Sequence, residues 1–180
     1  MSLKLRIVPD PVLRKVAQKV PSMDKDTSRF MHAMLETMYE NRGIGLAAPQ
    51  VGELRRVIVM DVADEQSPDK AILMANPEIT WKSEDTFTYK EGCLSIPGQF
   101  AEVTRPKKVR VAYIDEKGKP QELEAEDLLS SCVQHEIDHL NGVLFVDYLS
   151  KMRRDMMLKR VEKERKLAEA EAAEKGDKVF

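Results

Sequence analysis

The apolar positions in the first part of the chain recur with the spacing of α-helices. A short first helix is predicted over residues 11–20, because Pro11 suits the first helical position, where its missing N–H costs no hydrogen bond. A second helix is predicted to begin near Asp24 or Asp26 and to end near Asn41. Its apolar stripe consists of Phe30, Met34, Leu35 and Met38. Two helices are therefore expected before the first strand.

The pattern changes between residues 53 and 126 to short β-rich runs that are separated by turns. The predicted strands cover residues 57–60, 71–74, 109–113 and 121–125. The third of these runs alternates apolar and polar side chains, as a half-buried strand does. Short turns between neighbouring strands favour antiparallel pairing over a parallel arrangement with crossover helices.

A third helix is predicted from Glu126 or Asp127 to Asn141 and Gly142. It is apolar on most sides, through Leu128, Leu129, Cys132, Val133, Ile137 and Leu140. Such a helix is expected to be buried at the centre of the protein. It also carries two histidines and two acidic residues, whose burial is costly unless they are paired, hydrogen-bonded or bound to a metal.

The chain ends in a charged segment, residues 151–178, that is also predicted to be helical. Met152, Met156, Lys159 and Lys163 share one face, so the first turns are predicted to dock while the rest extends into solvent. A solvated charged helix is the favoured interpretation, and a docking helix for a larger anionic partner is the alternative. With no internal repeat or linker, we expect one domain over residues 1–150 and a helical extension of it over residues 151–180. The predicted fold class is α+β, with antiparallel β-sheets packed around a central buried helix and a charged C-terminal helix.

The composition is that of a soluble globular protein, with 42% hydrophobic and 33% charged residues in a chain of 180. The net charge of −2 gives no reason to expect nucleic acid as an obligatory partner. No apolar run has the length of a signal peptide or a membrane span, so no membrane partner is expected. The two cysteines lie far apart and do not indicate a disulfide framework. A cytoplasmic location is therefore expected.

The segment His135-Glu136-Ile137-Asp138-His139 is the strongest chemical signal in the chain. The two imidazoles lie one helical turn apart on the predicted central helix, so both can bind one divalent metal ion. Glu136 is then placed to take a proton from a water molecule that the metal activates. Catalytic metal sites usually have three protein ligands and one open position. A third ligand is therefore expected elsewhere in the chain.

Cys93 is predicted to be that third ligand. No histidine follows His139, and the glutamates that follow it begin at Glu162, in the charged tail. Cys132 lies on the same helix but seven residues before His139, about 10 Å along the axis, and is interpreted as a core residue. Cys93 follows a glycine, and a loop or strand end can bring its sulfur to the helix from outside.

Three segments of the chain resemble those of the bacterial peptide deformylases and occur in that family's order. They are residues 43–50 (GIGLAAPQ), 91–95 (EGCLS) and 134–139 (QHEIDH). The similarity covers nearly the whole globular part, so residues 1–150 are identified as a catalytic domain of this family. The resemblance implies a metal-dependent hydrolase of protein biosynthesis. It would remove the N-formyl group from the initiator formylmethionine of nascent polypeptides and release formate.

The resemblance also implies a role for individual residues. The three metal ligands would be the two histidines and the cysteine described above. Glu136 would accept the proton of the attacking water and then deliver it to the leaving amine nitrogen. The side-chain amide of Gln50 and the backbone N–H of Leu94 would stabilise the oxyanion that forms during attack.

The substrate would bind as an added strand, between the backbone of Ile44 and Gly45 on one side and Gly92 on the other. Its methionine side chain would enter a pocket formed by Ile44, Leu128, Ser131, Cys132 and His135. Ser131 stands where some relatives have an aliphatic residue, and Phe100 stands where some have arginine. Both positions bear on the choice of substrate.

Behind these residues, Glu91 and Arg105 would form a buried pair that steadies the Cys93 loop, and Asp138 would stabilise the ligand region. A thiolate and two imidazoles suit zinc, but the family works with Fe²⁺. We expect one divalent ion per chain, Fe²⁺ in the cell, with Zn²⁺, Ni²⁺ or Co²⁺ able to replace it in a purified sample. The expected partners are N-formylmethionyl peptides and, through the C-terminal helix, the ribosome.

Two alternatives belong to other functional classes. A zinc peptidase of the His-Glu-x-x-His class would cleave internal peptide bonds, but its usual downstream ligand is absent from this sequence. A structural metal site in a ribosome- or RNA-associated module would use four protein ligands, and the sequence offers no evident fourth.

Overall fold

The computed structural model describes residues 1–62 and 70–177. These residues form three α-helices: α1 (Lys25–Glu40), α2 (Asp127–Leu140) and α3 (Lys151–Asp177). They also form seven strands: β1 (Gly45–Ala47), β2 (Val57–Met60), β3 (Ile72–Lys82), β4 (Thr86–Cys93), β5 (Ile96–Pro106), β6 (Lys108–Ile114) and β7 (Pro120–Glu126). Three short 3-10 helices cover Pro11–Arg14, Ala48–Val51 and Phe145–Tyr148.

Helix α1 begins and ends where the sequence predicts. The side chain of Asp24 accepts a hydrogen bond from the N–H of Thr27 at 2.8 Å, which satisfies one of the free donors of the first turn. Its buried apolar face consists of Met31, Met34 and Met38. This face covers one side of the sheet described next.

The predicted helix over residues 11–20 is wrong beyond its first turn. Only Pro11–Arg14 is helical, and Lys15 already has extended backbone angles. The N–H of Ala17 donates to the carbonyl of Leu140, and that of Gln18 donates to the carbonyl of Leu54. These bonds to distant parts of the chain replace the local bonds that a helix would need.

A five-stranded antiparallel sheet with the order β1-β2-β3-β6-β7 forms one side of the core. Its strands include all four that the sequence predicts. Strand β3, however, continues past residue 74 through Asn76 and Pro77. Its register against β6 shifts at this point, and Asn76 has a φ of 51°, so a bulge accommodates the proline.

Strands β4 and β5 form a separate two-stranded antiparallel sheet, and neither strand is among those predicted from the sequence. Gly92 lies opposite Phe100, and the register shifts between Gly92 and Cys93. Both strands contact α2, and the end of β4 brings Cys93 to His139 in the last turn of that helix.

Helix α2 is central and buried, with the bounds expected from the sequence. Its apolar residues Val133, Ile137 and Leu140 belong to the same core cluster as Ile58 and Val111 of the five-stranded sheet. The mixed α+β class, the antiparallel sheets and the C-terminal helix are confirmed.

Helix α3 docks through a different face from the one predicted. Met157 and Val161 are 8% and 1% exposed and pack with β5, whereas Met152 and Met156 are 73% and 49% exposed. The buried positions are offset by one residue from the predicted stripe, and Met157 and Val161 share a core cluster with Phe145. None of the helices in the described ranges has the length and apolar character needed to cross a bilayer.

Candidate active site

Three potential metal ligands converge where the hairpin meets α2. His135 and His139 lie one turn apart on α2, and their ring centroids are 5.0 Å apart. Cys93 Sγ lies 3.4 Å from His139 Nε2. One donor atom from each of the three residues lies within 4.8 Å of the others. One thiolate and two imidazoles at this spacing suit a transition-metal ion, which binds such donors at about 2.0–2.3 Å.

Helical spacing alone explains how the two histidines meet, but Cys93 arrives from a different element. The bulge between Gly92 and Cys93 turns the end of β4 toward α2. Cys93 is half-buried, whereas both histidines are buried. The site is therefore closed on the helix side and open on the hairpin side.

A buried ionic network holds His135 in place. The ring nitrogen Nδ1 of His135 lies 2.8 Å from Glu91 Oε1. Arg105 Nε donates to Glu91 Oε2 at 2.7 Å, and Arg105 Nη1 donates to Asp138 Oδ2 at 2.9 Å. The hydroxyl of Tyr148 donates to the same Asp138 oxygen at 2.7 Å. A carboxylate on Nδ1 leaves Nε2 of His135 free to face a metal.

Opposing effects act on the ionisation of Glu91. Burial raises the pKa of this carboxyl, but the hydrogen bonds from His135 and Arg105 outweigh burial and hold the pKa below its usual value. Glu91 and Arg105 are 4% and 3% exposed. The pair is therefore charged and shielded from solvent.

Glu136 lines the cleft beside the three candidate ligands. It is 4% exposed, and burial raises the pKa of its carboxyl to about 7. Its Oε2 atom has no hydrogen-bond partner among the residues that the structure describes. A side chain on residue 45 would place its Cβ 2.5 Å from Glu136 Oε1, so Gly45 is needed for this close approach.

The side-chain amide of Gln50 lies beside Cys93, one of the three candidate ligands. Its Oε1 accepts a hydrogen bond from the N–H of Ala47 at 2.9 Å, which fixes the orientation of the amide. Its Nε2 donates to Ser95 Oγ at 3.2 Å and lies 3.4 Å from Cys93 Sγ. Gln50 is 1% exposed, so its donor is held beside the thiol rather than solvated.

These side chains open onto a cleft of about 660 Å³. The sequence-predicted residues that line it are Ile44, Gly45, Gln50, Glu91, Gly92, Cys93, Leu94, Leu128, Ser131, Cys132, His135 and Glu136. His139 lies at the base of the site, 1% exposed, and Arg105 and Asp138 lie behind Glu91. The structure thus brings the predicted site residues together in one region.

Two aromatic residues also line the cleft, and one of them, Tyr89, is not among the residues predicted from the sequence. Tyr89 and Phe100 lie on the facing strands of the hairpin and are 37% and 56% exposed. The ring of Phe100 covers Gly92, because a Cβ there would lie 2.4 Å from Phe100 Cε1. Tyr89 lies on the same strand as Cys93, four residues before it. A prediction of the β4–β5 hairpin would therefore have indicated Tyr89 as a cleft residue.

The chain is similar to proteins of known family over almost its full length. The sequence profile of the polypeptide deformylase family matches residues 2–155. The peptide deformylase of Rhizobium meliloti (strain 1021) is 50% identical over 173 residues, which cover 96% of this chain and 99% of the relative. The peptide deformylase of Brucella suis biovar 1 (strain 1330) is 51% identical over 176 residues, with coverage of 97% and 99%.

Solved structures agree with this similarity. The crystal structure of peptide deformylase from Ehrlichia chaffeensis has a TM-score of 0.89 and 38% identity, and the match covers 93% of this chain and 99% of that chain. The Ehrlichia chaffeensis enzyme in complex with actinonin has a TM-score of 0.87 and 40% identity, with coverage of 91% and 98%. The similarity spans the part of the chain that carries the cleft and the candidate ligands.

Proposed function

Because the chain belongs to the polypeptide deformylase family, a family of metalloenzymes, we propose that its metal is held by Cys93, His135 and His139. Like the family, the chain is a hydrolase that removes the N-formyl group from nascent polypeptides. The observation that carries the assignment of ligands is the convergence of the three donor atoms within 4.8 Å of one another. A divalent ion held there would supply Lewis acidity, to activate water and to polarise the formyl oxygen.

Glu136 is the residue that moves protons in this proposal. It takes a proton from the attacking water and gives it to the amine nitrogen as the bond from the formyl carbon to nitrogen breaks. The products are formate and a free amino terminus, so water supplies every added atom. The unpaired Oε2 of Glu136 in the cleft supports this role, because it is free to accept that proton.

Gln50 and Leu94 stabilise the negative charge that develops on the formyl oxygen. The amide of Gln50, fixed by the N–H of Ala47 and 3.4 Å from Cys93 Sγ, is a preorganised donor beside the metal ligands. The backbone N–H of Leu94, the residue after Cys93, is the second donor. Leu94 lines the same cleft.

The substrate chain lies between two strands that border the cleft. Strand β1 is at the edge of its sheet, so the backbone of Ile44 and Gly45 can add one more strand. Gly92 of β4 also lines the cleft and is proposed to pair with the other edge of the substrate chain. The methionine side chain then enters the pocket along α2, which Leu128, Ser131 and Cys132 line. Glu91, Arg105 and Asp138 position His135 from behind.

Fe²⁺ is the proposed metal in the cell, and Zn²⁺, Ni²⁺ or Co²⁺ can replace it in a purified sample. A soft thiolate with two imidazoles accepts all of these ions. Protein purified without oxygen should contain iron and lose turnover on exposure to air, whereas zinc-loaded protein should not respond to air. Elemental analysis of the anaerobic protein that shows zinc alone would contradict the proposal.

The chain is proposed to act in the cytoplasm, where nascent polypeptides emerge from the ribosome. Residues 1–150 form the catalytic domain in this proposal, and residues 151–180 extend it. The first part of α3, residues 151–166, carries eight Lys and Arg against three Asp and Glu. This positive surface supports contact with ribosomal RNA.

The reaction is tested by measuring formate release from a formylmethionyl peptide, with and without a chelator, beside the unformylated peptide. We expect formate release that the chelator abolishes and that added Fe²⁺ restores. Cleavage of an internal peptide bond in the unformylated control would favour a peptidase. No reaction with either peptide would favour a structural metal site.

A further inference from the structure

Two neighbouring serines on α2 have very different surroundings. Ser130 Oγ donates to the carbonyl of Pro106 at 2.9 Å and accepts from Gln134 Nε2 at 2.9 Å. Ser131 is 2% exposed, and its Oγ has no hydrogen-bond partner among residues 1–62 and 70–177. The two side chains have the same chemistry and the same depth of burial, so the difference lies in what they face.

An unpaired buried hydroxyl is unusual in a native protein. Most buried polar atoms have a partner, and leaving one unsatisfied costs free energy. A serine within a helix commonly satisfies itself by bonding to the backbone carbonyl one turn earlier. Ser131 Oγ makes no such bond. The hydroxyl is therefore available to a partner that is not part of the folded chain.

Ser131 lies on the face of α2 that borders the cleft. That face consists of Leu128, Ser131, Cys132 and His135, which follow one another at helical spacing. The thiol of Cys132 already lies 3.6 Å from the carbonyl oxygen of Ile44, so it has a partner within the protein. Ser131 therefore lines the pocket between Leu128 and Cys132, and its buried hydroxyl is a donor without a partner among the described residues.

We propose that Ser131 Oγ donates a hydrogen bond to the thioether sulfur of the substrate's first side chain, and so selects methionine over an all-carbon side chain of the same length. This inference rests on the proposed function, which places that side chain along α2. The substrate class is a formylated peptide whose first side chain carries an acceptor at the position of the sulfur. A sulfoxide oxygen is a stronger acceptor than a thioether sulfur, so it is the more sensitive probe.

The expected size of the effect is modest. A neutral hydrogen bond to a good acceptor changes an equilibrium by up to about tenfold, and a sulfur acceptor changes it by less, about threefold. Norleucine, which replaces the sulfur by a methylene group, leaves the hydroxyl unpaired when it fills the pocket. Wild-type protein should therefore cleave the formylmethionyl peptide with a kcat/KM about threefold higher than the formylnorleucyl peptide.

The test compares metal-loaded wild-type protein with the Ser131→Ala and Ser130→Ala variants on formylmethionyl, formylnorleucyl and formyl-methionine-sulfoxide peptides. Ser131→Ala should bring the methionine-to-norleucine ratio of kcat/KM to about one, mainly by lowering cleavage of the methionyl peptide, because the hydroxyl is already unpaired in the free protein. It should also lower the relative rate with the sulfoxide about tenfold. Ser130→Ala, whose hydroxyl bonds within the protein, should keep the wild-type ratios.

Thermal unfolding of the same variants gives a second measurement that does not use the substrate. Ser130→Ala should lower Tm by about 2–4 °C, because it removes paired hydrogen bonds, whereas Ser131→Ala should not lower it. An active Ser131→Ala variant that keeps the wild-type ratios overturns the inference and leaves the deformylase reaction standing. A Tm loss equal to that of Ser130→Ala also overturns it. Failure of all three proteins to release formate overturns both proposals.

Discussion

Replacing Arg105 by alanine tests the buried network that stands behind the proposed metal ligands. Arg105 is 3% exposed and makes two hydrogen bonds to Glu91, at 2.7 and 3.0 Å, and one to Asp138 at 2.9 Å. Arg105→Ala leaves both carboxylates without their cation, and one of them is 4% exposed. Loss of one partner from a buried ion pair costs about 3–5 kcal/mol of unfolding free energy.

The same substitution is expected to weaken metal binding, and its effect is transmitted through His135. Glu91 accepts hydrogen bonds from Arg105, and its Oε1 lies 2.8 Å from His135 Nδ1. The same carboxylate therefore binds Arg105 and orients the imidazole. Without Arg105 the pKa of Glu91 rises, and the carboxylate holds the ring less firmly. Loss of such a supporting contact lowers metal affinity by about 10–100-fold, although all three ligands remain. Because the ring of His135 is also held less firmly, turnover should fall even after the metal has been restored to saturation.

Arg110→Ala is the matched control. Its guanidinium also donates to a carboxylate, with Nε 2.8 Å from Glu124 Oε1, but it is 47% exposed on the sheet surface. Exposed ion pairs contribute about 0–1 kcal/mol. The measurements are urea unfolding, metal affinity by competition with a chelator, and kcat/KM on a formylmethionyl peptide. Equal losses in the two variants, or wild-type metal affinity and turnover in Arg105→Ala, would refute the role given to the network.

Three further predictions follow from burial and charge. Gly45→Ala should lower kcat by about 10²–10⁴-fold with little loss of metal, measured by kinetics beside elemental analysis, because the new Cβ would lie 2.5 Å from Glu136 Oε1. Burial raises the pKa of Asp147, but hydrogen bonds from Arg14 and from the N–H of Leu144, together with nearby positive charge, outweigh burial and hold the pKa below its usual value. The ionised carboxylate of Asp147 therefore stabilises the folded protein above about pH 4, and this stabilisation is lost as pH falls through the folded pKa. The unfolding free energies of wild type and Asp147→Asn should converge as pH falls from about 7 to about 3. Deleting residues 151–180 should cost about 3–6 kcal/mol in urea unfolding, since two nearly buried apolar side chains of α3 are lost, whereas deleting only the last 13 residues should cost little.

Elements whose hydrogen bonds are local could be predicted from the sequence. Helices α1 and α2 have the expected bounds, because their backbone bonds lie within each helix and their apolar spacing records the buried face. Residues 15–20 could not be predicted in this way, because the backbone N–H groups of Ala17 and Gln18 donate to carbonyls far along the chain. No pattern within a short window contains that information.

The β4–β5 hairpin escaped prediction for a different reason. Most side chains of β4 face solvent, including Thr88 and Lys90, so the strand lacks the apolar alternation that signals burial. In β5 the buried positions include Ala101 and Val103 but also Arg105, and a buried arginine looks like a surface residue in the sequence. The charge that supports the candidate site thus conceals the strand that carries it.

Some buried polar atoms of α2 have hydrogen-bond partners within the protein and others have none, and two of the atoms without a partner belong to residues that line the cleft. Gln134 bonds to Pro106, Asp138 bonds to Arg105, and His135 Nδ1 contacts Glu91; these contacts offset the cost of placing polar side chains in a buried helix. Among the described residues, three atoms of this helix lack such a partner: Ser131 Oγ, Glu136 Oε2 and His139 Nδ1. Ser131 and Glu136 both line the cleft. Folding alone gives no reason to keep a hydroxyl and a carboxylate unpaired there, because apolar residues of similar size would cost less to bury. A substrate that fills the cleft does give one.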